Sequence, residues 1–508
     1  MSNISVLQIG SDDWTPKMQS KDIDWQYTSI LDLPTMLAFQ KDPYVLEQSY
    51  VVLTDDVLDS TLLSSQLDAW PPLRTLYFAH EVTPEFQAVL DERRAFLIQE
   101  NTPEAITKCI QNDLSSEQIG FSTRFSEAQF LLLPPEGIHF KREGRFSAQY
   151  SGNFGLEWQQ IGTLQTYETD FTSTQANLVW LDYSQTGSVE VQVQFVFYKD
   201  NDIQTIQVIE GAALRELTTV GGLQDYQAYQ ILVFARGEGL IDLHALHQRR
   251  SRHGLGMLLP GDDWHLTTEN EEILSYFNPG DRQAPLIVNF SGLRLHGDAF
   301  EMKTSLDELG TPYLLFTDSR IQGGAFDIGT PVYQQAVIDM IKKAMATLNL
   351  KPEDVILTGG SMGSFPALYY AADIKPSTVM IAKPILNLGT FTSQAEFAQL
   401  FNQDWILDVR RYLVGRMNPE DTEELDQRLW QHIQNVDWSK IKISLFTMSQ
   451  DEYDGNSLLQ LNDFFTAQQA TVTHVTAVGS HTDKIPEMIS FFMTELKKAR
   501  DNMRQEDQ

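Results

Sequence analysis

The sequence has only one cysteine, Cys109, which excludes an internal disulfide framework and any metal site built from several cysteines. It also lacks a run of the ~18 apolar residues that a transmembrane helix needs. Its first residues show neither the basic region nor the apolar stretch of a signal peptide. We therefore expect a cytoplasmic protein, and we expect Cys109 to be a buried apolar side chain in a helix.

Positive charge is scarce as well. The sequence has 37 Lys and Arg residues and 69 Asp and Glu residues, so its net charge is −32. A polyanion is repelled by phosphate backbones and anionic lipids, so we expect no nucleic-acid binding and no membrane insertion. Neither a Walker-type loop nor a G-x-G-x-x-G motif is present. His244 and His247 lack a clear third ligand, and we predict no metal site and no bound cofactor.

The pattern of apolar residues changes twice along the 508 residues, which predicts three domains. Three short apolar strands alternate with helix-like stretches at first, as in a small Rossmann-like α/β unit with a parallel sheet. Apolar and polar residues then alternate with a period of two in several short runs, which indicates a β-sandwich. Continuous apolar strands with helical crossovers follow, which predicts an α/β-hydrolase-like, doubly wound sheet. The predicted limits are 1–117, 118–255 and 256–508.

Aromatic side chains in the predicted sandwich are candidate sugar platforms, since flat rings stack on the apolar face of a pyranose. The candidates are Trp158, Trp180, Tyr183 and Tyr198. The alternative is that they fill the core of the sandwich, which is the commoner place for a large aromatic residue.

The sharpest motif is Gly359-Gly360-Ser361-Met362-Gly363, of the form G-x-S-x-G, between a predicted strand and a predicted helix. Small flanking residues let the chain make the tight turn that exposes a nucleophilic serine. The amide of Met362 would then line an oxyanion hole. For the second oxyanion donor, the candidates are the amides of Ser291 and Gly292 after the strand PLIVNF.

The order of residues after Ser361 fits a Ser–acid–His triad. Carboxylates follow the penultimate predicted strand, and His481 follows the last one. Asp451 is the first choice for the acid, with Glu452 as the alternative and Asp454 third. His474 lies within the last strand and is expected to contact a neighbouring strand. His296 and Asp318 follow other strand ends and are at most pocket-lining. Arg294 is a candidate contact for an anionic part of a substrate, and a surface ion pair is the commoner alternative.

The segments GGSMGS, GSHTDK, HQRRSRHGLGMLLPGD and VNFSGLRLHGDAFEMK, within this domain order, resemble the family of second accessory Sec proteins of streptococci and their relatives. The resemblance covers essentially the whole chain. It implies a subunit of the export system for serine-rich-repeat adhesins that joins the first and third accessory Sec proteins and works with the motor ATPase. It also implies a carbohydrate-binding-module-like sandwich and O-acetylation of N-acetylglucosamine on the glycosylated adhesin. Any contact with the membrane would come through partner proteins.

The family serine falls on Ser361 and its histidine on His481, whereas the family acid is a glutamate and this chain offers Asp451 beside Glu452. The residues themselves indicate only an acyl-transferring serine enzyme, with acetyl-CoA as one candidate donor. A carbohydrate esterase and a non-catalytic secretion chaperone with a hydrolase fold are the alternatives.

Overall fold

A computed structural model describes most of the chain. The residues described are 4–18, 22–39, 49–67, 70–78, 81–126, 130–144, 146–164, 176–223, 228–294, 297–321, 323–393, 405–415, 420–454 and 456–506.

The N-terminal region is a parallel sheet with helices around it, which confirms the predicted α/β unit. Five of its strands lie in the order β2-β1-β3-β5-β7, and β4 pairs with β6 beside them. The strands are β1 (Ile4–Ile9), β2 (Ile23–Thr28), β3 (Tyr50–Leu53), β4 (Val57–Leu58), β5 (Thr75–Tyr77), β6 (Glu81–Val82) and β7 (Phe96–Leu97). The helices are Leu33–Phe39, Thr61–Gln66, Pro84–Glu92 and Pro103–Lys108. Cys109 is buried, as predicted, and burial raises the pKa of its thiol to about 12.

The middle region is an antiparallel sandwich built on two long strands. Its strands are β8 (Gly120–Arg124), β9 (Phe130–Leu132), β10 (His139–Glu143), β11 (Ser147–Leu164), β12 (Ala176–Gly187), β13 (Glu190–Lys199), β14 (Asp202–Glu210), β15 (Thr218–Gly221) and β16 (Ala228–Arg250). The first half of β16 pairs with β13 and the second half with β12. The bulged strand β11 pairs with residues 231–243 of β16, and β8 pairs with residues 245–249, so β16 connects the strands around one core.

The C-terminal region is an eight-stranded, mostly parallel sheet in the order β17-β18-β20-β19-β21-β22-β23-β24. The strands are β17 (Asp263–Leu266), β18 (Glu272–Asn278), β19 (Leu286–Phe290), β20 (Tyr313–Thr317), β21 (Val355–Gly360), β22 (Thr378–Ala382), β23 (Lys442–Met448) and β24 (Thr471–Ala477). The helices are Lys303–Leu309, Pro331–Leu348, Ser364–Tyr369, Ala371–Ile374, Leu388–Thr392, Trp405–Val414, Glu420–Ile433, Ser457–Ala467 and Ile485–Glu506. The doubly wound prediction is confirmed. The sequence predicts the six strands β19 to β24 but misses β17 and β18. These two strands pair antiparallel at the edge of the sheet opposite β24. The limits of the three domains stay a prediction.

The segment that follows the sandwich joins the three regions. Arg252 is buried, and its guanidinium donates to the carbonyls of Asp113 at 2.6 Å, Ser115 at 2.7 Å and Leu258 at 2.9 Å. Leu258 belongs to an apolar cluster that includes β1, β3 and β5 on one side and β18, β19 and β21 on the other. One basic side chain therefore connects the segments before and after the sandwich, and residues of both the N-terminal and the C-terminal sheet belong to one apolar cluster.

A buried ion pair fixes the sandwich to the edge of the C-terminal sheet. The guanidinium of Arg249 on β16 binds the carboxylate of Glu272 on β18, and both side chains are at most 1% exposed. Trp180 and Trp264 donate their indole N–H groups to the same carboxylate, at 3.1 and 2.7 Å. Burial alone would raise the pKa of Glu272, but Arg249, with smaller contributions from His247 and the hydroxyl of Ser319, lowers it to about 2.

We predict that Arg249→Ala lowers the free energy of unfolding by about 3–5 kcal/mol, because it leaves the Glu272 carboxylate buried and unpaired. The exposed pair of Arg236 and Glu190 is the matched control. Arg236→Ala should cost less than about 1 kcal/mol. Urea unfolding of both variants measures the difference, and equal losses would contradict the role assigned to Arg249.

The C-terminal helix packs on the apolar cluster through Phe492 and Leu496, and much of its remaining surface is exposed. Across the part of the chain that the structure describes, no helix combines the length and the apolarity needed to cross a membrane.

Candidate active site

Ser361 lies in a tight turn between β21 and the helix Ser364–Tyr369, with a φ of 54°. Two glycines make this turn sterically feasible. A Cβ on Gly359 would lie 2.0 Å from the carbonyl oxygen of Gly363, and one on Gly363 would lie 2.1 Å from that of Phe290. The motif therefore has a direct physical reason, since a side chain at either glycine would clash with backbone. The turn has the geometry of the strained strand-to-helix elbow on which α/β-hydrolases carry their nucleophile.

Three predicted residues meet in one chain of hydrogen bonds. The Oγ of Ser361 lies 2.8 Å from Nε2 of His481, and Nδ1 of His481 lies 3.0 Å from both carboxylate oxygens of Asp451. The side chain of His481 is only 5% exposed and that of Asp451 12% exposed, so the hydrogen bond between them is shielded from water. This arrangement of nucleophile, base and orienting acid can activate the serine hydroxyl.

The other two candidate acids have different contacts. Glu452 accepts a hydrogen bond from the backbone amide of His481 at 2.9 Å, so it holds the loop and not the ring. Asp454 is buried and accepts bonds from the amides of Leu386 and Asn387, at 2.7 and 2.8 Å. Among the three, Asp451 alone bonds the imidazole in the described structure.

Two residues next to this chain of hydrogen bonds, Tyr453 and Lys383, belong to no motif that the sequence analysis identified. The ring of Tyr453 stacks on His481, with centroids 4.0 Å apart and planes 1° apart. Lys383, at the end of β22, is buried and donates to the backbone carbonyl of Asp483. Burial lowers the pKa of Lys383, and the carboxylates of Asp451 and Asp483 oppose that shift. Tyr453 fixes the plane of the imidazole, and Lys383 supplies a cation near the acid.

The predicted oxyanion donors divide into two groups. Met362 is buried in the first turn after the nucleophile, where its amide stays the proposed donor. The expectation for Ser291 needs correction, whereas Gly292 stays a prediction, although both amides already have an acceptor in this structure. The amide of Ser291 donates to the carbonyl of Phe316 at 3.1 Å, because it continues the sheet, and the amide of Gly292 donates to Glu301 Oε2 at 2.9 Å.

The sugar platforms predicted on the sandwich are wrong for two of the aromatics. Trp180 is 2% exposed and stacks on His247 at the contact with the C-terminal sheet. Tyr183 is 4% exposed and belongs to the sandwich core. Trp158 is half-buried, and the guanidinium of Arg236 lies over its ring at 4.4 Å. Trp158 stays a prediction, and Tyr198 is half-buried on β13.

The remaining candidates have local roles. His244 lies 3.0 Å from an oxygen of Asp182, and Asp318 binds the buried Arg320 at 2.7 Å. His474 contacts Thr447 on the neighbouring strand at 2.8 Å, as predicted. His296 lies outside the described residues. Within those described ranges, no cluster of three or more His, Cys, Asp or Glu side chains is placed to hold a metal ion.

A polar cavity of about 300 Å³ is lined by residues that follow β22 and by residues in or next to the helices Glu420–Ile433 and Ser457–Ala467. The lining residues that the structure describes are rich in amide, hydroxyl and carboxylate groups, and no Lys or Arg is among them. Asn387, which bonds Asp454, forms one wall, and Asp426 and Gln460 contribute to the others. A cavity with this lining suits a neutral polyhydroxyl ligand better than an anion.

Comparison with known proteins identifies the family. A family model described as "Accessory Sec system GspB-transporter" matches residues 4–504. The chain belongs to this accessory Sec family. It is 28% identical to an accessory Sec system protein of Staphylococcus aureus (strain NCTC 8325 / PS 47), over 96% of this chain and 95% of that protein. It is 25% identical to an accessory Sec system protein of Streptococcus gordonii, over 97% of this chain and 97% of that protein.

A solved structure has the same fold as this accessory Sec chain. It is a chain of the Glycosylation Associate Protein (Gap123) complex of Streptococcus agalactiae, with a TM-score of 0.82 and 24% identity. The similarity covers 97% of this chain and 98% of that one. The family resemblance seen in the sequence is thus confirmed, and the chain is an accessory Sec system component.

Proposed function

We propose that this chain is a serine-dependent acyltransferase that O-acetylates N-acetylglucosamine on serine-rich-repeat adhesins and supports their export. The observation that carries the proposal is the hydrogen-bonded series from Ser361 through His481 to Asp451. Each distance lies in the range in which a proton can be shared between the partners.

The first half-reaction transfers an acetyl group to the enzyme. Ser361 Oγ attacks the acetyl carbonyl while His481 Nε2 takes the hydroxyl proton. Asp451 holds the tautomer with the proton on Nδ1 and stabilises the imidazolium that forms. The Met362 amide donates to the oxyanion. When the tetrahedral intermediate collapses, the bond to the leaving group breaks and His481 returns the proton to that group.

The second half-reaction releases the acetyl group to a sugar hydroxyl. The hydroxyl oxygen attacks the acetyl-Ser361 ester, and His481 takes its proton and then returns it to Ser361 Oγ. Water could serve in place of the sugar, so the acceptor depends on what occupies the site and excludes water. The polar cavity lined by Asn387, Asp426 and Gln460 is the proposed place for the neutral glycan, since no cationic group is among its described lining residues.

A transfer assay separates the acyltransferase from a plain carbohydrate esterase. The purified protein is given p-nitrophenyl acetate and a peptide that carries N-acetylglucosamine, and both acetate and acetylated peptide are measured. We expect the acetylated sugar to exceed free acetate at saturating peptide, because a bound hydroxyl reacts at a high effective concentration. Release of acetate that the peptide does not reduce would support the esterase.

The proposed partners are the first and third accessory Sec proteins, the motor ATPase and the glycosylated adhesin. The S. agalactiae relative was solved as a Gap123 complex, which supports assembly with other accessory Sec proteins. The net charge of −32 favours protein partners over anionic lipid as the route to the export channel.

A further inference from the structure

The amide of Gly292 lies where a second oxyanion donor is needed. Strands β19 and β21 are parallel neighbours, with Phe290 opposite Gly359, so Gly292 follows β19 at the level of Ser361. A Cβ on Gly292 would lie 3.3 Å from the carbonyl oxygen of Gly360. In α/β-hydrolases the loop after this strand supplies one of the two oxyanion N–H groups.

A carboxylate occupies that donor in the described structure. Glu301 Oε2 accepts the Gly292 amide at 2.9 Å. The backbone of Glu301 is held there as well, because its amide donates to Ser291 Oγ at 3.3 Å, and Ser291 Oγ itself donates to the Phe316 carbonyl at 2.8 Å. A carboxylate oxygen has the charge and the acceptor geometry of the oxyanion that forms during acyl transfer, so the two compete for one N–H.

The carboxylate also has a second partner toward solvent. Its Oε1 lies 3.7 Å from Nη1 of Arg294, and the side chains of Arg294 and Glu301 are 38% and 34% exposed. A side chain with this exposure can change rotamer without disturbing the core. Arg294 can therefore keep the carboxylate paired when it leaves Gly292.

We propose that Glu301 is a specificity-determining residue that closes the oxyanion hole until an acyl donor displaces it toward Arg294. This inference rests on the proposed function, since it assumes that Ser361 is the nucleophile. Small activated esters bring little binding energy to displace the carboxylate and react slowly. A donor with a larger bound portion supplies that energy, so the residue selects against adventitious acylation.

The test follows phosphonylation of Ser361 by a small fluorophosphonate, whose phosphoryl oxygen enters the same hole, by intact-mass spectrometry. We expect Glu301→Gln to react about tenfold faster, because a neutral amide holds the Gly292 N–H less strongly and does not repel the oxyanion. Glu308→Gln, an exposed carboxylate on the following helix, is the matched control and should react at the wild-type rate.

Arg294 provides a second readout. Arg294→Ala should slow labelling about threefold when Glu301 is present, because the carboxylate loses its other partner, and should change nothing in the Glu301→Gln background. If the Glu301→Gln variant is labelled at or below the wild-type rate and its melting temperature is unchanged, the proposed role of Glu301 in closing the oxyanion hole is overturned. If Ser361 is labelled neither in the wild type nor in any variant, the proposed function is overturned, and the proposed role of Glu301 is overturned with it.

Discussion

Ser361→Ala is expected to lower the rate of acetyl transfer by about 10⁴–10⁶-fold, because the attacking oxygen is lost and no acyl-enzyme can form. The remaining rate comes from binding and the oxyanion donors alone. Release of p-nitrophenol and acetylation of the sugar peptide are measured on the purified variant, with circular dichroism as the check on folding.

Ser439→Ala is the matched control for the loss of a hydroxyl, since Ser439 is exposed and its Oγ bonds only the carboxylate of Asp437 among the contacts found in the described chain. It should keep the wild-type rates. A folded Ser361→Ala protein that retains more than about one hundredth of the wild-type rate would contradict the assigned nucleophile.

Asp451→Asn should lower the same rates by about 10⁴-fold, because an amide favours the wrong imidazole tautomer and does not stabilise the imidazolium. Glu452→Gln should cost no more than about tenfold, since Glu452 bonds the His481 backbone and a glutamine oxygen can still accept that N–H. The two carboxylates are adjacent in sequence, so the pair controls for local charge.

Steady-state kinetics of both variants decide which carboxylate is the acid. The opposite ranking, a large loss in Glu452→Gln and a small one in Asp451→Asn, would move the acid to position 452. Comparable moderate losses in both would mean that neither carboxylate orients the ring on its own.

The meeting of Ser361, His481 and Asp451 could be predicted from sequence because strand order constrains it. Each of these residues follows a strand of one parallel sheet, and the carboxyl ends of such strands meet at one edge. The choice between Asp451 and Glu452 could not be predicted, since neighbouring residues in a turn point in different directions. That choice became clear only from the contacts with His481.

The sugar platforms predicted at Trp180 and Tyr183 are wrong for a different reason. A period of two tells which residues share a face of a strand, but it does not tell what covers that face. Trp180 lies under the C-terminal sheet and donates to Glu272 from another region of the chain. Glu301 and Lys383 were missed because a single charged residue beyond a strand has no signature until the fold places Glu301 against Gly292 and Lys383 near Asp451.

The acetyl content of adhesin glycans from cells that carry wild-type Ser361 or Ser361→Ala tests the proposed acyl transfer most directly. Intact-mass spectrometry of the exported adhesin should show acetylated N-acetylglucosamine in the wild type and its loss in the variant, with the variant protein still present in the cell. Unchanged acetylation in the Ser361→Ala cells would contradict a catalytic role for this chain and leave a secretion chaperone that keeps a hydrolase fold.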